Sequence, residues 1–261
     1  MPRIECSFYS EVLSKVVSMS VLLPQETVES LKQNREVKYP TLFLLHGFSD
    51  HHNTWIDSTS LQRYVEGRGL AVVMPAVDNS YYTDMVYGGD YWKFLTEEFL
   101  LKARTMFPLS DKREDTFVAG HSMGGFGALK WGLNKPEEFG AIASMSGVTD
   151  MVFHLENVRK QEDDKKRALT LVFGEDDISR TENDILWKLE ELGLSAEKKP
   201  MIYQTCGTED FLYEHNVRFH NKSKELNLST TTEFLSGDHT WEFWDAAIQR
   251  VLTWLPIKNS R

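Results

Sequence analysis

Three residues of the chain have the types and the order for proton-coupled nucleophilic chemistry: Ser122, Asp210 and His239. A serine hydroxyl is a poor nucleophile at neutral pH. It attacks only if a base takes its proton, and an imidazole does this best when a carboxylate holds its tautomer and stabilises the cation that forms. Ser122 sits in Gly120-His121-Ser122-Met123-Gly124, a G-x-S-x-G pentapeptide that ends an apolar run and opens a helical pattern over 125–133. That context is a nucleophile elbow. Glycines two residues before and two after the serine are needed where strand and helix pass so close that a β-carbon would collide, and the turn residue itself is strained.

An attacked carbonyl also needs donors for the oxygen that becomes negative. Residues 39–45 form a continuous apolar run ending in His46-Gly47-Phe48-Ser49-Asp50. The Phe48 N–H is the expected donor there, and the Met123 N–H beside the nucleophile is the second; such a donor is worth roughly a hundred- to a thousand-fold in rate. Of the eight histidines only His239 follows a late strand and precedes the last helix. His46 and His121 are expected to point into the scaffold, and His51, His52 and His215 to lie on the surface or a helix face. Asp210 is the expected acid, with Glu209 as the alternative, because adjacent residues at a strand end point in opposite directions. No histidine, cysteine and carboxylate spacing suggests a metal, and no cofactor is required.

These groups must be positioned by a substantial core. A chain of 261 residues suits one domain spanning 1–261, and its 41% hydrophobic content lies in the globular range. A formal charge of −10 argues against nucleic acid and anionic membrane as partners, since both call for a basic face. The N-terminus lacks a signal-peptide core and no run is long enough to span a membrane, so a cytoplasmic location is expected. The two cysteines, Cys6 and Cys206, read as plain thiols.

In chain order, alternation over 3–23 predicts an antiparallel hairpin at a sheet edge, ended by Pro24. A buried strand over 39–45, a helix from 58 or 59 to 67 and a strand over 70–75 follow. The aromatic loop 81–92 leaves the carboxyl end of that strand, so Tyr81, Tyr82 and Tyr87 are expected to wall a ligand crevice, with Trp241 near the base. Helical spacing over 91–106 predicts a long helix closed by Pro108. After the elbow helix comes a sixth strand over 141–147, then a charged stretch, 148–199, read as a cap over the site. Within it 161–167 reads as solvated, the pattern does not decide between a strand over 169–173 and a loop over 173–176, and Thr181 with Asp184 reads as a capping box opening a helix. A strand over 200–207, a helix over about 211–225, a strand over 230–235 and a C-terminal helix over 241–255 complete the chain.

Nucleophile, acid and base in that order, each after a strand, is the arrangement of an α/β-hydrolase fold: a mostly parallel central sheet with helices on both faces and a cap insertion between the sixth and seventh strands. With Leu44-Leu45-His46-Gly47, Val73-Met74-Pro75, the aromatic stretch 81–92, Gly120-His121-Ser122-Met123-Gly124-Gly125, Thr181-Glu182-Asn183-Asp184, Cys206-Gly207-Thr208-Glu209-Asp210-Phe211-Leu212-Tyr213 and Gly237-Asp238-His239-Thr240-Trp241, the chain resembles the esterase D family of serine hydrolases, most closely its bacterial tributyrin esterase branch. The resemblance implies a carboxylesterase for short-chain acyl esters, with Ser122, Asp210 and His239 as triad. The sister S-formylglutathione hydrolases carry a cysteine after the oxyanion strand, whereas residues 47–52 here contain none. That departure lowers the thioesterase reading; acyl transfer to an alcohol and feruloyl or acetyl-xylan ester cleavage stay open. The expected partner is a small-molecule ester, and a homo-oligomer is left open.

Overall fold

Every central strand sends alternate side chains to opposite faces, and here both faces are apolar, which is why these segments read as unbroken hydrophobic runs. A computed structural model describes residues 1–32, 37–161, 164–195 and 198–257. Its elements are β1 Arg3–Ser10, β2 Lys15–Leu22, α1 Val28–Lys32, β3 Thr41–Leu45, α2 Thr54–Ser58, α3 Leu61–Val65, β4 Ala71–Pro75 and α4 Tyr91–Lys93. There follow a π-helical segment Phe94–Phe99, α5 Leu100–Met106, β5 Thr116–His121, α6 Met123–Asn134, β6 Ala141–Met145, α7 Met151–Val158, α8 Asp164–Phe173 and α9 Ile185–Leu194. The chain closes with β7 Met201–Gly207, α10 Tyr213–Glu225, β8 Thr230–Leu235 and α11 Trp241–Trp254.

The eight strands form one sheet in the order β1-β2-β4-β3-β5-β6-β7-β8. β2 pairs antiparallel with both β1 and β4, and every pair from β4 across to β8 in that order is parallel. On one face Phe43, Val118, Ile142 and Ile202 pack with residues of α5, α6, α9 and α10; on the other Leu42, Leu44, Phe117 and Ala143 pack with α2, α3 and α11. The mostly parallel sheet with helices on both faces is thus the one expected from the sequence.

Several local expectations are corrected. The helix expected over 58–67 is only α3, Leu61–Val65, and a separate α2 ends before it at Ser58, where the Thr59 hydroxyl turns back onto the Trp55 carbonyl. The long helix over 91–106 passes through a π-helical turn, and in that turn Glu98 faces inward, where its carboxylate accepts the Ser10 hydroxyl and the Glu11 N–H. Residues 169–173 are not a strand but the end of α8, whose Leu169, Val172 and Phe173 are buried at helical spacing while Leu171 is exposed, and the alternative loop follows at 174–176. Asp184, not Thr181, caps α9, accepting the Trp187 N–H at 3.1 Å, and Thr181 lies in the preceding turn. In the stretch 161–167, Glu162 and Asp163 lie outside the described residues.

The elbow needs its glycines for steric reasons. A β-carbon on Gly120 would land on the Gly124 backbone, and one on Gly124 would land on the Leu45 carbonyl and 2.7 Å from the His46 oxygen. Both obstacles are backbone and cannot rotate away. Gly124→Ala is therefore expected to destabilise the protein by about 3 kcal/mol or more. Urea unfolding measures this, and a midpoint equal to that of the wild type would refute the close approach.

Candidate active site

β5 delivers the chain to Ser122 with φ 52° and ψ −118°, outside the regions ordinary residues occupy. The Ser122 N–H donates to the Met145 carbonyl at 3.0 Å, so the strained residue is tied to the neighbouring strand. Its Oγ lies 2.9 Å from His239 Nε2, and His239 Nδ1 lies 2.8 and 3.0 Å from the two oxygens of Asp210. A carboxylate only accepts, so Nδ1 carries the proton and Nε2 is free to receive one from the serine. The structure thus brings together Ser122, Asp210 and His239.

The two acids after β7 diverge. Asp210 turns inward, where it also accepts the Leu212 N–H at 2.8 Å. Burial opposes its ionisation, but the His239 imidazole and the Leu212 N–H outweigh it and hold the carboxyl below its usual range. Glu209 turns outward and accepts the Gly237 N–H, while its own N–H donates to the Gly237 carbonyl at 3.1 Å. It fastens the loop that carries His239. Phe211 lies tilted against the His239 ring at 4.5 Å, and Trp244 meets it edge-on at 4.8 Å.

The loop after β3 is set by its peptide groups. His46 is buried and donates from Nδ1 to the Gly47 carbonyl at 2.8 Å, while its Nε2 accepts the Val77 N–H at 3.2 Å. Accepting at Nε2 needs the neutral ring, and burial pulls its pKa to about 4. The Gly47 carbonyl also accepts the Asp50 N–H at 3.3 Å. In a trans peptide C=O and N–H point oppositely, so pinning the Gly47 carbonyl aims the Phe48 N–H away from these partners. Among the described residues that N–H has no acceptor, although its neighbours do: Gly47 N–H donates to Asp50 Oδ2 at 3.3 Å and Ser49 N–H to Asn79 Oδ1 at 2.7 Å. Met123 is the first residue of α6, and its N–H is one of the orphan donors of a helix's first turn. Asp50 Oδ2 also lies 3.0 Å from His121 Nε2, linking this loop to the elbow.

Above Ser122 and His239 lies a cavity of about 430 Å³, lined also by Phe48, Tyr81, Val148, His154, Leu169 and Phe211. The cap expectation is narrowed by this lining. α7 and α8 supply wall residues, among them Lys165 at the start of α8, whereas α9 packs on α6 and α10 against the sheet. Of the aromatic residues expected at the crevice, Tyr81 lines it. Tyr82 does not: it is fully buried and its hydroxyl donates to the His46 carbonyl at 2.8 Å. Tyr87 is 66% exposed outside the cavity, its N–H donating to the Leu171 carbonyl at 2.9 Å. Trp241 packs behind the elbow against Trp55, His121 and Trp244.

Sequence reading missed His154, which sits one turn into α7 with nothing in its local sequence to distinguish it. Burial pulls its pKa to about 3, with Lys165 and His215 adding to the effect. His215, expected at the surface or on a helix face, lies on a face of α10 that is buried beneath α7, donating from Nδ1 to the Asp150 carbonyl at 3.2 Å. Cys6 and Cys206 are both free thiols. Among the described residues no helix is long and apolar enough to cross a membrane, and no three His, Cys, Asp or Glu side chains are grouped to hold a metal ion.

A sheet of this order, with a serine on the β5 elbow in hydrogen-bond contact with a histidine–carboxylate pair, defines a serine hydrolase of the α/β-hydrolase fold. The chain belongs to the Esterase family ("Putative esterase"), whose profile matches residues 10–255. It is 28% identical to an acetyl esterase of Caldicellulosiruptor saccharolyticus over 98% of both chains. Among solved structures it is similar to the fluorophosphonate-binding serine hydrolase F of Staphylococcus aureus, solved with substrate bound, at 31% identity and a TM-score of 0.89, covering 97% of this chain and 98% of that one. It is likewise similar to the S-formylglutathione hydrolase of the same organism, at 32% identity and a TM-score of 0.85 over 97% and 98% of the two chains. The protein is a serine esterase, a carboxylic ester hydrolase.

The buried neutral histidines make stability depend on pH with a definite sign. His46 and His154 have folded pKa values of about 4 and about 3, below the unfolded value near 6.5. Between these limits the unfolded chain binds protons that the folded protein refuses, so their contribution is complete above 6.5 and lost as pH falls towards 4. At about 1.4 kcal/mol per pH unit for each ring, unfolding free energy is expected to drop by at least about 3 kcal/mol from pH 7 to 4.5. Denaturant titrations across that range test it; a flat profile would mean the rings are charged in the folded state.

Proposed function

We propose that Ser122 is the nucleophile, His239 the general base and then acid, and Asp210 the group that holds the imidazole, in a two-step hydrolysis of short-chain acyl esters. The observation that carries this reading is the continuous hydrogen-bonded line from Ser122 Oγ through His239 to Asp210, opening into the cavity. In the first step Oγ adds to the ester carbonyl as its proton passes to His239 Nε2. The carbonyl oxygen becomes negative and is met by the Phe48 and Met123 N–H groups. Collapse expels the alcohol, which takes the proton from His239. Water then repeats the sequence on the acyl-enzyme and releases the acid. Each backbone donor contributes roughly a hundred- to a thousand-fold.

A small acyl group, as in a tributyrin or acetyl esterase, is favoured by the modest cavity and its Val148, Leu169, Phe211 and Leu212 walls. The relative named acetyl esterase supports the same class. A thioester substrate is the second reading, favoured by the likeness to an S-formylglutathione hydrolase and opposed by the missing cysteine in 47–52. A cytoplasmic location suits the two free thiols, which stay reduced there.

The test is release of p-nitrophenol from acetate, butyrate and octanoate esters, with S-formylglutathione assayed in parallel. The wild type is expected to turn over acetate and butyrate fastest and octanoate poorly. Ser122→Ala is expected to lower kcat by at least roughly 10⁴-fold and to abolish labelling by a fluorophosphonate. Equal activity in the variant would remove Ser122 from the chemistry; a preference for the thioester would promote the second reading.

A further inference from the structure

Tyr82 is excluded from the cavity, yet its surroundings are more elaborate than packing requires. It and Tyr81 occupy the left-handed region in succession, at φ 54° and 51°, where residues other than glycine are uncommon. Such a pair persists only if its surroundings impose it. Ser80 Oγ accepts the Tyr82 N–H at 3.1 Å, the Thr83 hydroxyl donates to the Tyr81 carbonyl at 2.9 Å, and both are joined by Lys130, which projects from the elbow helix α6 and is completely buried. Its ammonium donates to the Tyr82 carbonyl and to Thr83 Oγ1, each at 3.1 Å, pairs with Glu182 at 3.4 Å, and lies 4.4 Å over the Trp92 ring. A buried cation is tolerated only when so surrounded. Burial brings its pKa down to about 8 against the pull of Glu182, which leaves it charged at neutral pH. The Tyr82 ring in turn lies flat on α6 at Gly127, where a β-carbon would sit 2.6 Å from its Cγ.

The outcome is a directed hydroxyl. Tyr82 Oη donates at 2.8 Å to the His46 carbonyl, one end of the His46–Gly47 peptide, whose other end, the Gly47 N–H, is held by Asp50. That peptide immediately precedes the one that carries the Phe48 N–H. We propose that Tyr82, locked by Lys130, is a positioning residue that orients the oxyanion-binding loop relative to the elbow. This inference rests on the assignment of the Phe48 N–H as an oxyanion donor. It gives one buried lysine on the nucleophile's own helix a part in both halves of the hole. Met123 starts that helix, and Phe48 is reached through Tyr82 and His46. The spacing between the two donors is then fixed within one bonded frame.

A positioning role differs from a structural one in what it changes. Substrate in its ground state barely uses the oxyanion donors, whereas the tetrahedral adduct does. Tyr82→Phe removes one hydroxyl and keeps the ring. It is expected to lower kcat for p-nitrophenyl butyrate about tenfold with KM within threefold. A trifluoromethyl ketone supplies the matching readout. Ser122 Oγ adds to its carbonyl carbon, the serine proton passes to His239, and the carbonyl oxygen takes the negative charge. Its Ki is expected to rise in Tyr82→Phe by the same factor as kcat/KM falls, with the thermal midpoint close to that of the wild type. Lys130→Met is expected to show the same parallel change, larger in size; should it fail to fold, Tyr82→Phe decides alone. Unchanged kcat and Ki in a folded Tyr82→Phe, or a fall in kcat with no change in Ki, would overturn the proposal. Wild-type turnover and its loss in Ser122→Ala are measured in the same assay, so failure of the esterase mechanism is read separately from failure of this inference.

Discussion

Ser122 must stand at φ 52° and ψ −118° to present its hydroxyl, and no residue with a side chain rests there unaided. The neighbouring architecture is what holds it. Gly120 and Gly124 let α6 cross β5 and the end of β3 at backbone contact, and the Met145 carbonyl secures the serine N–H. The short reversal also starts α6 at Met123, which leaves an unsatisfied N–H beside the proposed nucleophile. Strain, helix start and proposed oxyanion donor are thus one constraint seen from three sides. A looser turn would relieve the backbone and lose the donor's direction together.

The other donor depends on a longer chain of contacts. The ring of His46 turns the Gly47 carbonyl one way so that the Phe48 N–H turns the other. The ring can do so while accepting the Val77 N–H only as the neutral tautomer that burial favours. Asp50 then joins the same loop to His121, which sits among Trp55, Trp241 and Trp244 behind the elbow. The aromatic side chains that the sequence placed near substrate are therefore divided. Tyr81 faces the cavity, while Tyr82 and Trp241 hold the frame.

Much of this was legible in the chain because it is written locally. Both faces of β3 through β7 are covered, so their runs of apolar residues stand out. The elbow pentapeptide and the ends of the late strands mark Ser122, Asp210 and His239 by position. The choice between Glu209 and Asp210 rested on strand alternation, and in the structure the two do point apart. What could not be read depends on partners distant in sequence. Leu169 to Phe173 has strand-like composition, and only the burial of Leu169, Val172 and Phe173 against the exposure of Leu171 marks it as helix. Lys130 looks like any surface lysine of an amphipathic helix; its burial depends on Glu182, Thr83 and Trp92, which come from two other segments. His154 enters the cavity through the placement of α7 over α10, which no local pattern encodes.

The cavity wall has a further consequence. Ser122, Asp210 and His239 sit at the ends of β5, β7 and β8, where the sheet fixes them, but Val148, His154, Lys165 and Leu169 come from the single excursion between β6 and β7. One side of the wall is therefore carried by a stretch of chain separate from the strand ends, while Phe48, Tyr81, Phe211 and Leu212 come from other segments. Exchange of residues in α7 and α8 can reshape what is admitted without disturbing the strand ends, so this excursion is the natural place for lineages, or engineers, to retarget the enzyme while leaving its reaction centre inherited whole.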